Sequence, residues 1–244
     1  MKRPAIALFA LAASLLCSAP LAAAAGKGKP VAPPCDGLIT YMSTLPVQPL
    51  NDAEKSGLLF TWEEEKLARD VYVVMAGKWG QRAFTNIAAS EQTHMDATAF
   101  LLERYALAIP VPGATPGVFS NPRLATLYVS LVEKGGVSLV DALTVGATIE
   151  DLDIADVERL LATADNLDVR TLTQNLAKGS RNHLRSFVGL LDSYEAVYVP
   201  QFISPTELAE IIATDPEHKV IYDADGNPVD GILAGPCSGS NSKK

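Results

Sequence analysis

Along most of the chain, apolar residues recur at the three-to-four-residue spacing of helices that bury one face. Four long stretches carry this pattern. The first spans residues 51–78, with Asn51 or Asp52 as its cap and Gly80 as its stop. The second spans 83–107 and follows a turn so short that the two must be antiparallel neighbours. A longer connection, 109–137, is interrupted by Pro110, Pro112, Pro116 and Pro122. Inside it, Pro122 after Asn121 opens a short helix over 122–134, which Gly135-Gly136 closes. Ser138 caps a third long helix reaching Ala164, and beyond a turn at Asp165-Asn166 a fourth covers 168–194. Ser204-Pro205 starts one more short helix to Thr214, and residues 219–233 alternate around Asp225-Gly226-Asn227 in the manner of a small hairpin. Residues 26–50, rich in Pro, Gly and Lys, read as linker.

Two helix pairs joined by one long crossover predict an all-α fold, a ferritin-like four-helix bundle with short accessory helices and a C-terminal hairpin. Polar residues break the inward faces of that bundle at one level. At about 100° per residue, Phe84, Ile87, Ala88, Met95, Thr98, Leu102 and Tyr105 share a face, and Glu91 and His94 fall in its middle. On the third helix Leu139, Leu143, Gly146, Ala147, Ile154, Val157 and Leu161 form the stripe, again with an i, i+3 pair inside it, Glu150 and Asp153. His183 is central to the stripe of Leu172, Leu176, Phe187, Leu190 and Tyr194. In the run Glu63-Glu64-Glu65, Glu65 shares the face of Leu58, Trp62, Ala68 and Tyr72; Glu63 is expected in solvent, and Glu64, at the flank, is the alternative to Glu65.

Four carboxylates converging in a core would repel one another and take up protons, whereas two divalent cations would neutralise them. Four carboxylates and two imidazoles on facing helices make the ligand set of a di-metal carboxylate centre. The expected ligands are Glu65, Glu91, His94, Glu150, Asp153 and His183. Oxygen and imidazole donors together fit iron or manganese, and zinc is compatible. The competing reading is a metal-free network of hydrogen-bonded polar groups.

These motifs resemble known proteins. Glu65-x-x-Ala68-Arg69-x-x-Tyr72 followed by Ile87-Ala88-x-x-Glu91-x-x-His94 is similar to the first helix pair of rubrerythrins, and Glu150-x-x-Asp153 to their third-helix Glu-x-x-Glu. Residues 63–72, Ser90-Glu91-Gln92-x-His94-Met95-Asp96 and residues 179–185 resemble more closely the ferritin-like domain of unknown function 2202. That resemblance covers residues 58–212 and implies a bundle binding two irons. Two departures stand out. Rubrerythrins carry a further glutamate on the fourth helix one turn before the histidine, where this chain has Gly179 and Ser180, and Asp153 is one methylene shorter than its counterpart. Rubrerythrins also commonly carry a cysteine-ligated iron centre as electron relay; without one, electrons would come from a separate donor.

Charge and processing signals place the protein. Lys2 and Arg3 lead into an apolar run, Ala5 to Leu16, and small residues at 22–25, the pattern of a secretory signal peptide cut near Ala24 or Ala25. That run is shorter than the roughly 20 residues of a spanning helix, and an uncleaved anchor is the alternative. Cleavage removes two positive charges and takes the formal net charge from −8 to −10, unsuited to nucleic acid or to anionic membrane surfaces. Cys35 and Cys237 then remain, near the two ends; in a periplasmic or secreted protein an even pair is most simply a disulfide, two free thiols being the alternative. The absence of Cys-x-x-Cys excludes a cysteine zinc site. Asp223-x-Asp225-Gly226-Asn227 lacks the Gly and Glu spacing of a calcium loop and reads as a turn; His218 beside it is expected in solvent. Tyr72 and Tyr105 could donate to buried ligands or simply pack.

The expected function is that of an exported di-metal protein handling dioxygen or peroxide, by oxidising Fe(II) or reducing peroxide. Its rival is a metal-binding or structural module without turnover.

Overall fold

The helix boundaries follow from their caps. In the computed structural model, which describes residues 37–230, α1 is Gly37–Thr44, α2 Asp52–Trp79, α3 Arg82–Arg104, α4 Pro122–Gly135, α5 Leu139–Thr163, α6 Leu167–Ser193 and α7 Pro205–Ala213. Asn51 and Glu54 form a reciprocal capping box at the start of α2, and Gly80, in the left-handed conformation at φ 64°, ends it. The Ser138 and Ser204 side chains accept from the third backbone N–H of α5 and α7. Where left-handed residues are not glycine the ends shift. α3 stops at Arg104, three residues short of expectation, because Ala106 takes φ 55° and the Leu107 N–H turns back to Leu102 O. Glu195 at φ 56° ends α6 in the same way and leaves Tyr194, expected inward, about half exposed.

α2 packs along α3 and α5 along α6; α2 against α5 and α3 against α6 close the four into a bundle. Side chains at its two ends fix the connectivity. The Glu54 carboxylate accepts from the Asp165 and Asn166 backbone at 3.0 and 2.8 Å, and Tyr105 donates to Asp168 at 2.7 Å. So the start of α2, the end of α3 and the α5–α6 turn meet at one end. At the other, Trp79 Nε1 donates to Gly135 O at 2.9 Å. The segment 105–138 therefore runs the length of the bundle, with α4 against α2 and α5.

That crossover corrects one expectation. Glu63 is not solvated but 2% exposed, because the crossover lies over it. Its carboxylate accepts from the Ser120 and Asn121 backbone at 3.1 and 2.9 Å and from the Ser120 hydroxyl. Lys66 beside it is fully buried, bonded to Asp70 at 2.5 Å and Thr115 O at 2.7 Å. A second correction concerns residues 26–50: from Gly37 to Thr44 they are helix, tied to α3 by Arg104, which donates to Met42 O and Leu45 O. A third concerns the tail, where the described residues give a single bridge, Tyr222 with Pro228, around a turn rather than a laddered hairpin. The expected signal segment, Cys35 and Cys237 lie outside the described residues. Among the described residues no helix is long and apolar enough to cross a membrane.

The apolar interior comes in two clusters. One holds Tyr72, Phe84 and Phe187, with ring centroids 5.3–6.1 Å apart; the other holds Trp62, Met95, Leu102 and Leu172. Along each long helix, one cluster gives way to the other at the level of the polar residues.

Candidate metal centre

A residue of the long helices points into the bundle at this level only when its own helical face does, and five side chains from four helices satisfy that. Glu91, on α3, is the pivot. Its Oε2 lies 2.7 Å from His94 Nδ1 and its Oε1 2.8 Å from His183 Nδ1. Glu65 Oε2, from α2, is 3.1 Å from His94 Nδ1, and Glu150 Oε2, from α5, is 3.3 Å from His183 Nδ1. The ligand atoms therefore form two groups of three, Glu65–Glu91–His94 and Glu91–Glu150–His183, each within 4.8 Å and sharing Glu91. The two imidazoles stack, centroids 5.5 Å apart.

The contacts are close, yet several are not hydrogen bonds. His183 Nδ1 lies 2.8 Å from Glu91 Oε1 and 3.3 Å from Glu150 Oε2, and none of these three buried atoms has a partner in hydrogen-bond geometry. Buried polar atoms are otherwise almost always paired. Donor lone pairs that converge without pairing are what a shared cation needs. Outer contacts hold the ligands in place. Tyr72 donates to Glu150 Oε1 at 2.5 Å, so of its two expected roles it serves as donor as well as packing; Tyr105 instead bonds Asp168 at the bundle end. His183 Nε2 meets Ser90 Oγ at 3.0 Å, a contact that leaves Nδ1 to face the carboxylates.

Asp153 and Glu64 stand apart. Both are buried beside the cluster, on α5 and α2, but neither belongs to a three-ligand group. Both Asp153 oxygens and Glu64 Oε1 have no partner. Burial, followed by their mutual repulsion and that of Glu65, pushes the Asp153 carboxyl well above its usual range; burial and Glu65 do the same to Glu64. Of the alternatives on α2, Glu65 is the one within reach of the imidazoles.

Burial and the neighbouring charges shift the titration of the clustered groups. Burial pushes Glu65 up to about 7 against the pull of His94, and burial also raises Glu150. Burial would lower His94, but Glu65 and Glu91 overcome it and raise the imidazole to about 10; His183 is raised by Glu91 and Glu150 in the same way. Glu91 alone is held low, by His183 and His94 acting against its burial.

Gly179 explains the missing fourth-helix glutamate. A Cβ at this position would lie 2.5 Å from His94 Cε1 and Nε2. The His94 ring thus fills the place that a side chain on this turn of α6 would take. The sequence displayed a lost carboxylate; the structure displays room made for an imidazole. Two further features escaped sequence reasoning: Ser90, whose signal was only its position one turn from His94, and a polar row on α6, Asn175, Lys178, Asn182 and Arg185, at helical spacing.

An all-helical bundle whose apolar interior is crossed by one layer of carboxylates and imidazoles is the class that fold and site define. Within that class, the chain belongs to the family described as an uncharacterized protein domain, DUF2202, whose model matches residues 54–215 and so includes all six candidate ligands. It is similar to the uncharacterized protein MJ0754 of Methanocaldococcus jannaschii, at 54% identity over 180 residues, covering 74% of this chain and 97% of the relative. It is also similar to the crystal structure of hypothetical protein MJ0754 from Methanococcus jannaschii, with TM-score 0.70 and 55% identity, over 71% of this chain and 99% of that one.

Proposed function

We propose that this is an exported, ferritin-like di-metal protein. Two divalent transition ions, iron before manganese or zinc, are held by Glu65, Glu91 and His94 on one side and Glu91, Glu150 and His183 on the other, with Asp153 in reserve beside them. The observation that carries the reading is the convergence of carboxylate oxygens and imidazole Nδ1 atoms on two points that share Glu91, at one of which Glu91 Oε1, Glu150 Oε2 and His183 Nδ1 are buried without hydrogen-bond partners. Iron held this way supplies one electron per ion to dioxygen or peroxide. The chain's own residues hold the ions apart from bulk water, keep both imidazoles facing inward and supply protonatable carboxyls, Glu64 and Asp153, next to the reacting level. Electrons for repeated turnover come from a separate donor. Export is supported by the charged, apolar and small-residue order of residues 1–25.

Elemental analysis of protein purified without added metal tests the reading. The expected result is two transition ions per chain, reduced below half by Glu91→Ala. Metal-free protein that stays metal-free after dialysis against Fe(II), Mn(II) and Zn(II) would overturn it. A second reading, metal storage or structure without turnover, is favoured by Gly179, since the chain offers one bridging carboxylate where rubrerythrins have more. It predicts bound metal and no consumption of peroxide or dioxygen by the Fe(II)-loaded protein.

A further inference from the structure

A cleft among the described residues reaches the buried centre. A cavity of about 390 Å³ lies between α3 and α6, and Ser90, His94, Gly179 and His183 line it. Of the five clustered ligands only the imidazole side chains have appreciable exposure, 13% for His94 and 10% for His183, against 3% or less for Glu65, Glu91 and Glu150. Whatever small molecule reaches the metal level by this cleft passes the two rings.

One wall of the cleft is neither α3 nor α6. Glu217, His218, Lys219 and Ile221, in the segment after α7, line it as well. This strap lies along α6, held by the polar row noted above. The Glu217 carboxylate takes two bonds from Arg181, at 2.8 and 2.6 Å, and two longer ones from Arg185, both at 3.3 Å. Its backbone N–H donates to Asn182 Oδ1 at 2.9 Å. Further along, Lys178 donates to Val220 O at 2.7 Å, and Asn175 exchanges bonds with the Tyr222 backbone at 2.8 and 3.1 Å. A two-pronged Arg–carboxylate pair fixes direction as well as distance. Lys219, on the cleft wall, adopts φ 58°, a conformation that costs a non-glycine residue energy and persists where its surroundings enforce it.

We propose that the strap, clamped by Glu217 to Arg181 and Arg185, narrows the route to the metal centre, so that a small polar hydroperoxide of the dimensions of hydrogen peroxide reaches it in preference to an alkyl or aryl hydroperoxide. This rests on the di-iron reading for its chemistry: the O–O bond breaks, two Fe(II) become two Fe(III), and two protons complete two waters. Glu217 is a specificity-determining residue that touches neither metal nor substrate.

The experiment follows oxidation of the Fe(II)-loaded full chain in single turnover, with hydrogen peroxide and with cumene hydroperoxide. The wild-type protein is expected to favour hydrogen peroxide by about tenfold or more, the size of discrimination one steric mismatch supports. Glu217→Ala, with metal content unchanged, brings the two rates within about threefold by admitting the larger molecule. Thr93→Trp, at an exposed α3 position lining the same cleft, tests the route without disturbing the strap and slows hydrogen peroxide by about fivefold or more at unchanged metal content. Equal wild-type rates with both oxidants, or a Glu217→Ala ratio that stays at the wild-type value in folded, metal-loaded protein, would overturn the proposal. Failure of the redox reading is told apart by Co(II)-loaded protein. There, azide should perturb the visible bands and benzoate should not; benzoate acting on the wild type as strongly as azide overturns the cleft assignment whatever the iron chemistry.

Discussion

Replacing Gly179 by alanine adds one methyl group, and the structure dictates where it goes. The new Cβ sits 2.5 Å from both Cε1 and Nε2 of His94, and ordinary contact begins at 3.4 Å, so the imidazole must give way by about 1 Å. It has little room: its Nδ1 already lies 2.7 Å from Glu91 and 3.1 Å from Glu65. Overpacking of this kind costs about 1–3 kcal/mol. Against that, alanine in a helix interior gains about 0.5–1 kcal/mol over glycine. The net loss in metal-free protein is therefore about 0–2.5 kcal/mol, which for a domain of this size lowers the unfolding midpoint by up to about 10 °C. Metal binding is hit harder, because ligand distances tolerate only about 0.2 Å. On the proposed two-ion reading, the ion at Glu65–Glu91–His94 should be lost and the one at Glu91–Glu150–His183 retained, so that the variant binds one ion where the wild type binds two. Gly189→Ala is the matched control. It lies on the same helix, exposed, with nothing within 4 Å of its added Cβ, and should stabilise slightly while both ions stay bound. Elemental analysis and thermal unfolding with and without chelator read both effects. If Gly179→Ala behaves like Gly189→Ala in both, the account of this glycine as space for a ligand is wrong.

Three other outcomes follow from the same site. Tyr72→Phe removes the 2.5 Å bond to Glu150 and leaves a buried carboxylate oxygen without a partner, so chelated protein should lose about 1–3 kcal/mol in denaturant unfolding and metal-loaded protein should bind its second ion more weakly; unchanged stability and affinity would rule out the positioning role. Glu63→Ala deletes the acceptor for the Ser120 and Asn121 backbone, and should speed hydrogen exchange at those two amides while the metal-level residues stay protected. The pH dependence of chelated protein has a definite sign. His94, raised from its ordinary value of 6.5 to about 10, contributes stability that is complete below pH 6.5 and lost as pH climbs toward 10. Glu65, raised from 4.5 to about 7, also makes folding less favourable as pH rises through that interval, and Glu91, held low, opposes this only in acid below its ordinary range. If metal replaces these protons, as the proposed centre requires, the gap between metal-loaded and chelated unfolding midpoints should widen from pH 5 to pH 8; a constant gap would refute the exchange of protons for cations.

What could be read from the sequence, and what could not, divides along one physical line. A carboxylate or imidazole in the middle of an apolar helical face is an anomaly within its own helix, visible without knowing its neighbours; Glu65, Glu91, His94, Glu150 and His183 all announced themselves in this way, and the structure gathers them at one level. Glu63 belongs to the same acidic run and is equally buried, but its partners are backbone N–H groups 57 and 58 residues away, and a backbone amide carries no residue-specific signal. The same holds for Asn175, Asn182 and Lys178, which bond the main chain of the strap, and for α1, whose carbonyls are gripped by Arg104 from another helix. Gly179 is the reverse case, a residue whose contribution is the volume it leaves empty, and a sequence displays that as a deletion. The site was legible because its polar groups face one another, not the chain's own backbone. That is also the strongest physical argument for a ligand there: groups selected to bond the backbone come with their partners built in, whereas Glu91 Oε1, Glu150 Oε2 and His183 Nδ1 converge, buried, without hydrogen-bond geometry to any described residue.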